Sequence, residues 1–160
     1  MKGKIEMGYY VQITEQDFLL EKENFDKAYE LMCALNSRDV LKSGGSWGKE
    51  LSYDDPRPEG MNYHPAKWFS WMTPNYPETL KTLEEVLTAL GFEFDKDSEG
   101  NIAILIYNSK IGDEYHFFSA IAPLVKQGSY ISWRGEDGEE WRWFFNNSEM
   151  ITQQATKVWS

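Results

Sequence analysis

The chain has 160 residues, of which 41% are hydrophobic and 16% aromatic, enough apolar surface to offset chain entropy and to exclude a wholly disordered protein. Its 26 acidic and 16 basic residues give a formal net charge of -10, which repels nucleic-acid phosphates at long range and argues against direct nucleic-acid binding. The length suits one domain with a real core, so we predict a single domain over residues 1–160.

The cellular compartment is predicted from cysteine usage and the N-terminus. Cys33 is the one cysteine and cannot form an internal disulfide, which favours a reducing cytoplasm. The first residues, MKGKIEMGYYVQ, contain no apolar signal region, and no apolar run reaches the length of a membrane span. We expect a cytoplasmic protein without membrane attachment.

The first half of the chain predicts a strand, a helix, a long loop and a second helix. Residues 8–21 are rich in β-branched and aromatic residues, as in a strand. Asn24 can cap a helix whose apolar residues recur from Phe25 to Leu35. Residues 40–77 have no clear period but hold seven large aromatics among glycines and prolines, and Leu80 to Leu90 then form a helical stripe that Gly91 caps.

The second half predicts strands interrupted by one helix. Phe92 and Phe94 alternate with acidic residues, and "NIAILIYN" is apolar on both faces, as in a central strand covered on both sides. Asp113 can cap a further helix before the final strands. Because the strands are linked by hairpins, we predict an α+β fold, a mainly antiparallel sheet with about three helices packed on one face.

The stretch "GSYISWRGEDGEEWRWFFNN" predicts a hairpin with a definite register. Glu136-Asp137-Gly138 suits a three-residue loop with glycine in the left-handed conformation. Residue 133 then faces 141, 131 faces 143 and 129 faces 145. Three tryptophans share one face in this register, and a two-residue turn would mix arginine into that face.

The outer face of this hairpin is the first candidate site. It carries Tyr130, Arg134 and Arg142, a small basic and aromatic patch in an acidic protein that could hold an anion or a planar ligand. The alternative interpretation is that the tryptophans line the core and the arginines are paired surface residues.

The long loop is the second candidate site, because long loops in compact domains are often functional. His64, Trp68 and Trp71 lie in its segment "NYHPAKWFSWM". Together with the arginines of the hairpin they could line a small-ligand or nucleotide site between loop 40–77 and the outer face of the 129–145 hairpin.

Recognisable catalytic chemistry is missing from the sequence. Cys33 has no histidine near it in sequence, and nothing around His64 supplies a nucleophile at a recognisable spacing, so a hydrolase built on His64 is a third, weaker hypothesis. "DKDSEGN" imitates a calcium loop only in part, and "SGGSWGKE" lacks the spacing of a phosphate loop. We predict no catalytic residue, no metal and no cofactor, and favour a non-enzymatic protein.

The acidic residues suggest a partner surface. Residues 51–100 carry 10 acidic and 4 basic side chains, a surplus that fits either a solvated face or a surface for a basic partner. The candidate acidic surface consists of Glu84, Glu85, Glu93, Asp95, Asp97 and Glu99.

Two motifs carry a resemblance. "NYHPAKWFSWM" and "GSYISWRGEDGEEWRW", set in an acidic α+β body, resemble small uncharacterised proteins encoded by bacteriophages and other mobile elements, over most of residues 8–159. The resemblance implies an accessory protein that acts in a bacterial host cytoplasm, for example as an inhibitor of a host defence protein. Combined with the charge, it favours a host protein partner with a basic nucleic-acid groove.

Overall fold

The structure, a computed structural model, describes residues 8–156. Its contacts divide the chain into two compact units. Among the described residues, the sheet unit comprises residues 8–24, Phe92–Ile111 and residues 122–156, and the helical unit comprises Phe25–Gly91 and Gly112–Ile121. The single domain over residues 1–160 stays a prediction.

The sheet unit is built on a five-stranded antiparallel sheet with the order β6-β1-β7-β8-β9. Its strands are β1 (Tyr10–Asp17), β6 (Asn108–Lys110), β7 (Tyr130–Gly135), β8 (Glu140–Asn146) and β9 (Glu149–Gln154). A separate two-stranded hairpin pairs β4 (Glu93–Lys96) with β5 (Ile102–Ile106). Short 3-10 turns occupy Lys22–Asn24 and Ala122–Leu124.

The predicted register of the 129–145 hairpin is confirmed. Trp133 pairs with Trp141 and Ile131 with Trp143. The N–H of Gly135 donates to the carbonyl of Glu139 at 2.8 Å, and Gly138 has φ +89°, as the three-residue loop requires. The hairpin therefore sorts its side chains as the sequence pattern predicts.

Two of the three hairpin tryptophans, Trp133 and Trp143, are core residues, and Trp141 is half-buried. Trp133 is buried against Trp143 at a centroid distance of 4.8 Å, against Tyr107 at 5.5 Å and edge-on to Phe92 at 6.2 Å. Such tilted and edge-to-face pairs are the favoured geometries of aromatic rings. At Trp133 and Trp143 the apolar face of the sheet is thus closed by an aromatic cluster.

The strand in "NIAILIYN" departs from its prediction. Ile102, Leu105 and Tyr107 are buried, but Ile104 and Ile106 are each 45% exposed. Instead of lying at the centre of a sheet, β5 forms a ladder with β4 alone among the described strands, and Ile102 also forms an isolated bridge with Leu20. Within residues 8–156 the side chains of Ile104 and Ile106 are covered only in part, so the prediction of a central strand covered on both sides is wrong.

The helical unit contains four helices and one short strand pair. Its elements are α1 (Phe25–Ala34), β2 (Gly44–Gly45), β3 (Lys67–Trp68), α2 (Tyr76–Thr79), α3 (Leu83–Leu90) and α4 (Glu114–Ala120), with 3-10 turns at Leu35–Ser37 and Asp39–Leu41. Thr82 caps α3 by accepting from the N–H of Glu85, and Gly91 ends it with φ 106°. The helices predicted after Asn24, over Leu80 to Leu90 and after Asp113 are present.

The core of the helical unit centres on three aromatic rings. Phe69, Tyr76 and Phe117 are buried, and their ring centroids lie 5.0–6.3 Å apart. The hydroxyl of Tyr76 donates to the carbonyl of Met32, which satisfies its buried polar end. Leu83, Val86, Leu87 and Leu90 of α3 complete this core.

The combination of an antiparallel sheet with these helices confirms the α+β class. None of the helices in residues 8–156 has the length and apolar character that crossing a bilayer requires.

Candidate functional site

On the outer face of β7 and β8, Arg142 is engaged by its own sheet. Its Nε donates to Oγ of Ser132 at 2.9 Å, and one terminal nitrogen contacts Oε1 of Glu15 at 3.2 Å. Its guanidinium carbon lies 4.1 Å from the ring centroid of Tyr130. The two hydrogen bonds and the cation–π contact fix the guanidinium plane and partly neutralise its charge.

Arg134 differs from Arg142, although both lie on the outer face. It is exposed and stands opposite Glu140 in the register, and within residues 8–156 its guanidinium forms neither a hydrogen bond nor an ion pair. A groove of about 250 Å³ lies beside Arg142 and is lined in part by Ser132, Glu140 and Gln153. The groove therefore offers a cation, Arg142, an anion, Glu140, and the neutral hydrogen-bonding side chains of Ser132 and Gln153.

His64 is a structural residue of the long loop. It is 1% exposed, and its Nδ1 accepts the backbone N–H of Ala66 at 3.0 Å. That contact places the ring proton on Nε2, which donates to the carbonyl of Asp55 at 2.8 Å. Both ring nitrogens hold the loop backbone, so neither is left for proton transfer.

Two glycines allow the aromatic rings of the loop to pack closely. A Cβ on Gly44 would lie 2.5 Å from Nε1 of Trp68, and one on Gly45 would overlap the ring of Tyr53. Gly44 and Gly45 pair with Trp68 and Lys67, so the half-buried indole of Trp68 covers the strand backbone. The Gly-Gly pair is therefore required by this close approach, not by phosphate binding.

Trp47 is the most exposed aromatic of the loop. Its indole is 65% exposed and stacks on Tyr53 at a centroid distance of 5.1 Å with an interplanar angle of 24°. Its Nε1 donates to Oδ2 of Asp54 at 3.2 Å, and Nζ of Lys67 lies 4.5 Å from the Tyr53 ring centroid. The indole is thus held in one orientation while most of it faces solvent.

Trp71 is an exposed residue whose own backbone is strained. Its φ of 73° lies in the left-handed region, which costs a non-glycine residue about 1–3 kcal/mol, and its side chain is 47% exposed. The buried carboxylate of Asp113 holds the preceding residue by accepting the N–H of Ser70 at 2.9 Å. A Cβ on Gly112 would lie 2.8 Å from the indole nitrogen, so glycine is needed there.

A buried ion network fixes the start of the loop. Nζ of Lys42 donates to Oδ1 of Asp39 at 2.8 Å and to the carbonyl of Asn36 at 2.9 Å, while Arg57 donates twice to Oδ2 of Asp39. Burial opposes ionisation of Asp39, but the hydrogen bonds from Lys42 and Arg57 outweigh it and lower the pKa of Asp39. Burial also lowers the pKa of Lys42. We interpret this network as scaffold.

The candidate acidic residues serve different purposes. Glu85 accepts the N–H of Lys81 at 2.7 Å, and Asp97 accepts the N–H groups of Glu99 and Asn101, so these two carboxylates stabilise local backbone. Glu84 is half-buried, and Glu99 is exposed beside the turn of Asp97. Glu93 and Asp95 are exposed on β4, where the register places them opposite Ile106 and Ile104.

The candidate residues of the sequence are divided between the two units. His64, Trp68 and Trp71 lie in the helical unit, and Tyr130, Arg134 and Arg142 lie in the sheet unit. Sequence reasoning missed Trp47 as a site residue, although the neighbouring Gly-Gly pair and Tyr53 were a signal of packed aromatics. It also missed Ile104 and Ile106, because an apolar strand predicts burial.

Comparison with known proteins adds no relative: no protein-family model, no curated protein and no solved structure matches the chain.

Proposed function

We propose that the protein is a non-enzymatic interaction protein that binds a basic partner protein through the exposed indoles of loop 40–77. The observation that carries this proposal is Trp47, which is 65% exposed yet oriented by a stacked tyrosine and a carboxylate. A large ring that is ordered before binding loses little conformational entropy on association, and tryptophan is enriched among the residues that dominate interface energies.

Trp71 supports the same function. A backbone conformation that costs about 1–3 kcal/mol persists only where the surroundings impose it, and such strain concentrates at functional positions. Here the surroundings are the buried Asp113 and the unsubstituted Gly112. The fold stabilises Trp71 in an orientation that leaves nearly half of its side chain exposed.

The partner's chemistry follows from charge. The chain carries a net charge of -10, and the exposed residues near Trp47 in sequence include Glu50, Asp54, Asp55 and Glu59 against the single cation Lys49. An acidic surface accelerates and orients association with a basic one. A host protein with a basic nucleic-acid groove fits, and the phage-type resemblance extends this proposal to an inhibitor of a host defence protein in the bacterial cytoplasm.

Paired affinity capture tests the proposal. Wild-type protein and a Trp47→Ala, Trp71→Ala double variant are used as baits in the same bacterial lysate, with Val40→Ala as the control because Val40 is also highly exposed. We expect a basic protein that binds the wild type and the control, is lost with the double variant, is released by salt, and is displaced by nucleic acid. Capture that is equal for all three baits contradicts the proposal.

A second function, small-ligand binding, is favoured by one observation in the sheet unit. The groove of about 250 Å³ beside Arg142 lies next to a guanidinium that Tyr130 and Ser132 already hold in place. A ligand that binds only the folded state raises the melting temperature, so a thermal-shift screen with nucleotides and sugars tests this function. A shift that Arg142→Gln removes supports it, and no shift at millimolar ligand eliminates it.

A further inference from the structure

The outer face of the β4–β5 hairpin combines exposed aliphatic side chains with carboxylates. Ile104 and Ile106 are each 45% exposed. Asp95 pairs with Ile104 and Glu93 pairs with Ile106, and paired residues project to the same side of an antiparallel ladder. The face therefore presents two isoleucines on one strand and two carboxylates beside them on the other.

This face is held rigidly from behind. The side-chain amide of Gln16 donates to the carbonyl of Leu105 at 2.7 Å and accepts its N–H at 2.7 Å, replacing a backbone partner with a side chain. Leu20 and Ile102 exchange two backbone hydrogen bonds of 3.0 Å. Buried Leu105 lies on the opposite face, so the exposed isoleucines stand on an anchored strand and not on a mobile loop.

We propose that this acid–isoleucine face, formed by Glu93, Asp95, Ile104 and Ile106, is a docking surface for a partner segment that alternates aliphatic and basic side chains. Charge complementarity selects this occupant, because the aliphatic residues cover the isoleucines while lysine or arginine side chains reach the carboxylates. A strand that is apolar on both faces is ordinarily covered on both, whereas within residues 8–156 the side chains of Ile104 and Ile106 are covered only in part.

Other occupants fit this face less well. A second copy of the chain would bring Glu93 and Asp95 against the same carboxylates, and like charges across an interface are unfavourable. Strand addition to the edge of β4 is discouraged, because that strand has only four residues and three of them are charged. The docking surface includes neither Trp47 nor Trp71. The docking proposal and the proposed function of loop 40–77 can therefore fail independently of each other.

A charge-matched peptide pair tests the surface. The probes are two blocked, fluorescein-labelled peptides of nine residues, Gly-Lys-Val-Lys-Val-Lys-Val-Lys-Gly and the same peptide with glutamate in place of each lysine. Binding to the full chain is followed by fluorescence anisotropy at about 0.05 M and about 0.5 M salt, since screening separates the charge contribution from the apolar one. Three double variants are compared with the wild type: Ile104→Ser with Ile106→Ser, Glu93→Lys with Asp95→Lys, and Glu139→Lys with Glu149→Lys.

The third variant is the control, because Glu139 and Glu149 are exposed in the same unit and outside the β4–β5 hairpin, and their reversal changes the net charge equally. We expect the lysine peptide to bind the wild type and the control, to bind the serine variant about tenfold more weakly, and not to bind the hairpin charge reversal. That reversal should instead bind the glutamate peptide.

Three results would overturn the docking surface. The first is no binding of the lysine peptide to the wild type. The second is equal weakening by the control and by the hairpin reversal, which would reduce the effect to net charge. The third is a wild-type dimer in sedimentation velocity that the serine variant abolishes, which would make a second copy the occupant. We expect each variant to fold, because all the replaced side chains are exposed or half-exposed. Circular dichroism checks this.

Discussion

Replacing Asp39 with asparagine should destabilise the helical unit far more than replacing Lys42 with methionine. The side chain of Lys42 is fully buried, and its ammonium relies on Asp39 and one backbone carbonyl. An asparagine at 39 has one oxygen for two cations, so Lys42 or Arg57 loses its acceptor. Breaking a buried ion pair from one side costs about 3–5 kcal/mol. Because Asp39 is 20% exposed, we expect the lower end, about 3 kcal/mol.

Lys42→Met removes the buried charge instead of stranding it. Asp39 keeps both hydrogen bonds from Arg57, and the methionine fills most of the lysine's volume, so we expect a loss of about 1 kcal/mol or less. The double variant should be more stable than Asp39→Asn alone, because no unpaired ammonium remains. Urea unfolding followed by circular dichroism gives the free energies. Equal losses in the two single variants, or simple additivity in the double variant, would refute this reasoning.

Three further predictions concern the sheet unit. Gln16→Ala leaves the buried backbone groups of Leu105 unpaired and should lower the free energy of unfolding by about 2 kcal/mol. The control Gln12→Ala, on the same strand, should change it by less than about 0.5 kcal/mol. Urea unfolding measures both values. Gly138→Ala places a side chain at φ +89° and should cost about 1 kcal/mol, with the loss of stability measured by thermal melting. Backbone hydrogen bonds, first that from the N–H of residue 101, lower the pKa of Asp97. A carboxyl whose pKa is lower in the folded than in the unfolded protein stabilises the fold at pH values above its unfolded-state pKa. This contribution is lost as the pH falls through the folded-state pKa, so the stability difference between wild type and Asp97→Asn should shrink below about pH 4.

Short-range patterns predicted the 129–145 hairpin down to its register. A loop of Glu136, Asp137 and Gly138 fixes the pairing, and the alternation of tryptophan with arginine admits only one register that separates them. The interpretation of the tryptophans as core residues followed from the same pattern and is confirmed for Trp133 and Trp143, whereas Trp141 is half-buried.

The candidate sites were less predictable because each depends on distant residues. Trp71 is exposed through Asp113 and Gly112, which lie about forty residues away in sequence and show no pattern in common with it. In the sequence, His64 was the residue of the loop best suited to acid–base chemistry. In the structure its two ring nitrogens contact a carbonyl and an N–H of the loop itself. These hydrogen bonds depend on the path of the loop backbone, which the composition of the loop does not determine.

By itself the sequence determined the α+β class, the three main helices with the Gly91 cap, the hairpin register and the acidic character, because periodicity, turn chemistry and charge act over a few residues or over the whole chain. The capping roles predicted for Asn24 and Asp113 are wrong, since the side chain of Asn24 donates to the carbonyl of Leu124 and that of Asp113 accepts from Ser43 and Ser70. Tertiary structure alone decided which apolar and aromatic side chains stay exposed. Ile104 looked like Ile102 and Trp47 looked like Trp68, but burial depends on what the rest of the fold supplies as cover. Within residues 8–156 the fold covers Ile104 and Ile106 only in part, and a surface that sequence analysis assigns to the interior becomes a place for a partner.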